Sequence, residues 1–229
     1  MKISLGEGSD IPAMPLFQRA LALGLAPRDQ VFAHEALSGA YREIVGNSGL
    51  AWRRMVEQSE FRQCMIEIEK AFELDRAGSL GFFSEPLHIG SLKQVDVMYT
   101  LAARLKQEQE GTEAAISYLV GKLRAVEYLA RPPLLQSLIE LGKLYIQAGN
   151  VQDATTCLQK VIGTKPLYPA DKESNSELCE TARQMLQDIQ GQISGALAGY
   201  CTRCGKPIAP RARFCTSCGA PVNASTCSG

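Results

Sequence analysis

The sequence has only two histidines, one tryptophan and no net charge, and no apolar run approaches the roughly 20 residues that a membrane-spanning helix needs. With two histidines there is little material for imidazole catalysis. Neither His34 nor His88 has a spaced partner that would complete a set of nucleophile, base and orienting group. Phosphate-cradling glycine loops, metalloprotease helices and nucleophile elbows are also missing. The N-terminal stretch Met1-Lys2-Ile3-Ser4-Leu5-Gly6-Glu7 lacks the apolar core of a signal peptide, so a cytoplasmic protein is expected. These gaps predict a protein that is not an enzyme. The one remote exception is a site near His88 and Glu85, in a glycine-containing loop.

The 24 Lys plus Arg residues balance the 24 Asp plus Glu, which removes any whole-chain argument for a nucleic-acid or membrane partner. The balance hides an asymmetry. From Gly199 to Gly229 there are four basic residues, Arg203, Lys206, Arg211 and Arg213, and no acid. The tail carries +4 and the remainder −4. Five of the eight cysteines crowd into the same tail, leaving Cys64, Cys157 and Cys179 in the body. That distribution is unlike a disulfide scaffold and points to a metal. The three body cysteines are expected to pack in the core.

Ahead of the tail the chain reads as a series of amphipathic helices with almost no alternating pattern, so the body is expected to be all-α. The helices are predicted at Pro15 to Leu25, Arg28 to Ile44, Leu50 to Asp75, Ser91 to Glu108, Thr112 to Ala130, Pro132 to Ala148, Gln152 to Gly163 and Asn175 to Leu197. Ser174 with Glu177 reads as a capping box. Pro132-Pro133 opens one helix, and Ala148-Gly149-Asn150 closes it with Asn150 placed to cap the next. Ala77 to Gly90 is the longest expected loop, and Gly191 to Gly199 the expected hinge before the tail. His34, beside Glu35, is placed on a helix surface, and Glu67, Glu69 and Glu73 on a solvated face. Trp52, next to Arg53 and Arg54, is expected to be a half-buried helix aromatic, with a nucleic-acid stacking site as the alternative.

One repeat unit is clear. Leu141-Gly142, Tyr145, Gly149, Ala154, Leu158, Val161 and Pro166 fall at the spacing of a tetratricopeptide repeat, and the segment resembles that family. Small residues at Gly142 and Ala154 let two helices cross closely, while Tyr145 and Leu158 fill the adjoining hole. A second unit is read at Leu101-Ala102, Leu105, Ala114, Tyr118 and Gly121, and a third at Leu37-Ser38, Tyr41, Ala51 and Met55. The last helix would cap the array with a stripe of Leu178, Met185, Leu186, Ile189 and Ile193. An irregular helical bundle using the same core is the alternative architecture.

The sharpest chemical signal is Cys201-Thr202-Arg203-Cys204-Gly205 followed, after a ten-residue spacer, by Cys215-Thr216-Ser217-Cys218-Gly219. Two residues between cysteines let one turn aim both thiolates at a single ion, and the glycine relieves the turn. Four thiolates suit zinc or iron. The segment resembles the zinc-ribbon family in the short form often appended to bacterial proteins, which implies one structural zinc held by Cys201, Cys204, Cys215 and Cys218. A redox dithiol pair, a rubredoxin-type iron centre and two disulfides are the competing readings. The spacer would form a small β-hairpin with Phe214 and Ile208 as its core. Structural zinc contributes about 10 to 16 kcal/mol to such peptides, so the module is expected to need its metal to fold. Cys227 is read as a spare.

The expected organisation is therefore an N-terminal extension over 1–14, a tetratricopeptide-like α-helical domain with its capping helix over 15–196, a zinc ribbon over 197–222, and a disordered tail over 223–229. The family resemblance implies a concave groove that binds a protein or peptide. Tyr99, Ala103 and Lys106 in one unit and Gln136, Ile139, Lys143 and Ile146 in the next are expected to line it. Lys106 and Lys143 would attract an acidic segment. Nucleic-acid contact through the basic ribbon is the second reading. No small-molecule substrate and no membrane partner are expected.

Overall fold

A computed structural model describes residues 11–85, 88–129, 134–165, 172–196, 203–204, 214 and 217–221. A 3-10 turn at Ile11–Ala13 leads into helices α1 (Met14–Ala22), α2 (Pro27–Asn47), α3 (Trp52–Glu57), α4 (Ser59–Gly78), α5 (Ile89–Glu110), α6 (Thr112–Ala125), α7 (Leu135–Gln147), α8 (Val151–Gly163) and α9 (Lys172–Ala196), with a second 3-10 turn at Phe82–Ser84 before α5. The described part of the body is helical, as the 3.6-residue periodicity predicts. None of its helices is long and apolar enough to cross a membrane.

Packing follows chain order. α1 lies on α2, α2 on α4, α5 on α6, α6 on α7, α7 on α8 and α8 on α9, while α3 bridges α4 and α5. Among the remaining pairings α5 meets α7 and α7 meets α9, each skipping one helix, and α4 makes smaller contacts with α5 and α6. α7 is therefore surrounded on several sides, and eight of its thirteen residues are buried. One core runs through α2 and α4 to α9 and includes Phe72, Tyr99, Leu119, Leu144 and Leu158, and a smaller one groups Phe17, Ala33, Ala36 and Leu37.

The α7–α8 hairpin forms as its residues dictate. The Asn150 N–H donates to the Tyr145 carbonyl at 2.8 Å and the Gly149 N–H to the Ile146 carbonyl at 3.0 Å, a Schellman closure with Gly149 at φ +75°. Asn150 Oδ1 then accepts the Asp153 N–H at 3.2 Å and caps α8. Gly142 is buried in α7, and Ala154 and Leu158 are fully buried beneath it. α9 covers this hairpin with Cys179, Ala182 and Ile189 buried and Leu178, Met185 and Leu186 packed against the core. The side chain of Ile193 lies outside the described residues.

Several expected boundaries and registers move. The segment expected as one helix from Leu50 to Asp75 breaks at Gln58, which is extended at φ −67°, ψ 147°, so that α3 can fold against both α4 and α5. The helix expected to Ala130 stops at Ala125, and the turn after it buries Val126 and Leu129 in the core. α9 starts at Lys172, which puts Ser174 inside the first turn instead of at a cap, and it runs through Gly191 to Ala196 where a hinge was expected. Pro132-Pro133, Pro166, Leu197 and Gly199 lie outside the described residues.

In the second unit the fully buried small residues are Ala103 and Ala115, with Leu119 after them, one position beyond the expected Ala102, Ala114 and Tyr118. Their spacing matches Gly142, Ala154 and Leu158. In the N-terminal part α2 pairs with α4, not with the segment holding Ala51, which is exposed. The small residues at that crossing are Ser38 and Cys64, with Ser38 Oγ and Cys64 Sγ 3.2 Å apart.

Two buried carboxylates cap elements far from them in sequence. Asp75, at the end of α4, accepts the Phe82 N–H at 2.8 Å, the Phe83 N–H at 3.3 Å and the Tyr128 hydroxyl at 2.7 Å. It holds the turn at Phe82–Ser84, within the segment expected as a loop from Ala77 to Gly90. Asp96, on α5, accepts the Gln136 and Ser137 N–H groups at 2.7 Å each and the Ser137 hydroxyl at 2.5 Å. α7 has Leu134 at its N-cap, a side chain with no acceptor, so its orphan N–H groups are satisfied from another helix.

Candidate functional site

The described part of the cysteine module consists of its two turns and one strand contact. Arg203-Cys204 and Ser217-Cys218 both lie in turns, and Gly219 follows with φ +69°. A left-handed residue directly after the second Cys-x-x-Cys pair is what a glycine there permits at little cost. Phe214 and Pro221 form an antiparallel bridge that brackets the second pair. Phe214 is 59% exposed, which corrects its expected role as core of the module, while Ala220 is buried. Cys201, Cys215, Cys227, Ile208, Lys206, Arg211 and Arg213 lie outside the described residues, so the hairpin expected in the spacer falls there too. Among the described residues no three ligating side chains gather, since two of the four candidate ligands are not among them. The donor set fits a tetrahedral thiolate site in residue type and spacing, and Cys204 and Cys218 each lie in a turn.

The body cysteines are structural. Cys64, Cys157 and Cys179 are all buried free thiols. Burial pushes the Cys157 thiol up to about 11, away from reactive thiolate chemistry.

The helical residues expected to line a groove divide into two sets. Tyr99 and Ala103 are fully buried and Ile139 is 5% exposed, so these three belong to the core, a correction that follows from α7 packing against both α5 and α9. Among the described residues the Tyr99 hydroxyl finds no hydrogen-bond partner. Lys122 lies over its ring at 5.8 Å and over the Tyr118 ring at 5.2 Å while pairing with Glu69 at 2.5 Å. Gln136 and Lys143 are exposed, and Lys106 and Ile146 are half-buried. Lys106 pairs with Glu110 at 2.6 Å.

Sequence reasoning missed Arg104, which organises this face. Its guanidinium donates to both oxygens of Glu140, at 2.8 and 3.1 Å, and Lys143 reaches the same carboxylate at 3.5 Å. Burial pushes the Glu140 carboxyl up, but the Arg104 fork and Lys143 outweigh it and hold it below the ordinary range. One turn on, Gln107 donates to Gln147 at 2.6 Å. A polar seam thus joins α5 to α7, and two half-exposed cations share one nearly buried anion.

The histidines are structural partners of carboxylates. His34 Nδ1 is 2.6 Å from Glu67 Oε2 inside the α2–α4 contact, with only 13% and 6% of the two side chains exposed, so neither His34 nor Glu67 is the surface group expected. His88 Nδ1 pairs with Glu35 Oε1 at 2.9 Å and its ring stacks on Phe82. Glu85, its expected partner, pairs instead with Arg28. Trp52 is half-buried, as expected, with Arg53 beside its ring.

Comparison with known proteins places a zinc-ribbon domain at residues 200–222. No curated protein and no solved structure matches the chain. The domain match covers both Cys-x-x-Cys pairs, and it supports zinc as the metal for which their thiolates are arranged.

Proposed function

We propose that the protein is a non-catalytic interaction adaptor of the cytoplasm, a tetratricopeptide-like helical solenoid whose exposed face binds a protein or peptide, with the zinc ribbon as a second docking module holding one structural zinc ion. The observation that carries the solenoid reading is the order of helix packing. From α5 onward each helix touches its neighbour in sequence, and α5, α7 and α9 touch in turn, the pattern of stacked hairpins whose first helices line one face. The recurrence of small, small and large residues at Ala103, Ala115, Leu119 and again at Gly142, Ala154, Leu158 supports the same reading.

The binding face is the polar seam between α5 and α7, with Arg104, Gln136, Lys143 and Lys106 at its surface. A photo-crosslinking residue placed at Gln136 or Lys143 in cells should capture a discrete partner, while the same residue at Thr181, on an exposed part of α9, should not. Equal or absent adducts at all three positions would contradict the adaptor reading.

The acid-free tail favours nucleic acid as a second reading for the ribbon. Four basic side chains are a thin footprint, and a zinc ion with four thiolates contributes −2 to the same module. Contact of that kind weakens steeply as salt rises, whereas peptide binding on the helical face changes less.

A further inference from the structure

Asp96 is 4% exposed at the contact of α5 with α7, and among the described residues its carboxyl oxygens accept from neutral donors: the N–H groups of Gln136 and Ser137 and the Ser137 hydroxyl. Desolvation destabilises the charged form of a buried carboxylate that has no cation beside it, and neutral donors with a helix N-terminus offset only part of that cost. Several described charged groups of the surrounding elements hold partners other than Asp96. On its own helix Lys93 is exposed and Arg104 pairs with Glu140; on α7 Glu140 and Lys143 belong to that same group. From α3, Arg53 pairs with Glu108 while Arg54 and Glu57 are exposed. From α4 and α6, Glu69 pairs with Lys122. Asp75 of α4 holds Phe82 and Tyr128. Among the described residues, burial and the three α7 donors are what act on the carboxyl, and burial prevails, pushing it up to about 6.

We propose that Asp96 makes the joint between the α5–α6 and α7–α8 hairpins proton-sensitive, the joint closing more tightly as the carboxyl takes up a proton. In the ionised state the carboxylate receives all three donors. On protonation the Ser137 hydroxyl can turn to accept the new proton, the buried charge disappears, and both backbone N–H groups retain an oxygen. Opening the α7 N-terminus exposes Asp96 to water, where the ionised form is favoured, so opening is promoted at neutral pH and suppressed in mild acid. The device is independent of which partner the adaptor binds.

Amide hydrogen exchange of the full-length protein, corrected for the intrinsic effect of pH, tests this at Gln136 and Ser137. Between pH 7.5 and pH 5 the opening equilibrium at these two amides should fall about tenfold, as a carboxyl titrating near 6 when closed and near 4 when open requires. The Leu158 amide, inside α8, should show no such step. Asp96→Asn should remove the step, and carbon NMR of the wild-type Asp96 carboxyl should show a midpoint near the same pH even where that variant folds poorly. A flat exchange profile at Gln136 and Ser137, a step that survives in Asp96→Asn, or an Asp96 carboxyl titrating near 4 would overturn the proposal.

Discussion

A Cβ added to Gly142 would stand 3.1 Å from Cδ2 and 3.2 Å from Cγ of Leu158, a side chain with no exposed surface. Glycine in a helix ordinarily costs 0.5 to 1 kcal/mol or so relative to alanine, about what Gly121→Ala should return in the open part of α6, where nothing lies within 4 Å of an added Cβ. At Gly142 that gain meets overpacking against Leu158, which costs roughly 1 to 3 kcal/mol. Urea unfolding should therefore show Gly121→Ala stabilised, Gly142→Ala unchanged or weakened, and Gly142→Val weakened by about 2 kcal/mol or more. Equal stabilisation by the two alanines would mean that the hairpin does not pack closely at Gly142.

α4 ends in a left-handed residue that is not glycine. Ser79 has φ +47°, with its N–H on the Arg76 carbonyl and the Leu80 N–H on the Asp75 carbonyl. A non-glycine residue there costs roughly 1 kcal/mol, so Ser79→Gly should raise stability by up to about that amount. A loss of stability in the urea midpoint would refute this closure of the helix.

Acid should weaken the seam between α5 and α7. The Glu140 carboxyl is held low by Arg104 and Lys143 against the upward push of burial. A depressed carboxyl contributes stability that is present above its unfolded value, near 4.3, and is lost as pH falls through the native value. Glu140→Gln should thus be less stable than the wild type at pH 7, with the difference shrinking progressively below pH 4. Glu67, also held low by His34 and Lys70 despite burial, acts in the same direction. Asp96 acts oppositely between about pH 4 and 6, so a stability gap for Glu140→Gln that widened in acid would contradict the assignment of the seam.

The parts of the structure legible in sequence are those decided within one hairpin. Gly149, Asn150 and Asp153 fix the α7–α8 turn by bonds spanning five residues or fewer, and the Gly142, Ala154 and Leu158 spacing sets the crossing. In the second unit alanines come in doublets, Ala102-Ala103 and Ala114-Ala115, and either member satisfies a small-residue pattern. Burial selects the later one of each. Asp96 and Arg104 were not legible because their partners Ser137 and Glu140 lie 41 and 36 residues away. A repeat register alone places Tyr99 and Ile139 in a groove, since it does not reveal how tightly α7 packs against α5 and α9. The cysteine module was legible because its chemistry lies in spacing alone.

Native mass spectrometry of the full chain purified without added metal, alongside a Cys204→Ser, Cys218→Ser variant, tests the division into a helical body and a zinc ribbon most directly. One zinc per chain, lost in the variant while helical circular dichroism persists, is the predicted result. Iron, no metal, or a mass two hydrogens lighter for each disulfide would contradict the ribbon, and collapse of the helical signal in the variant would contradict an independently folded body.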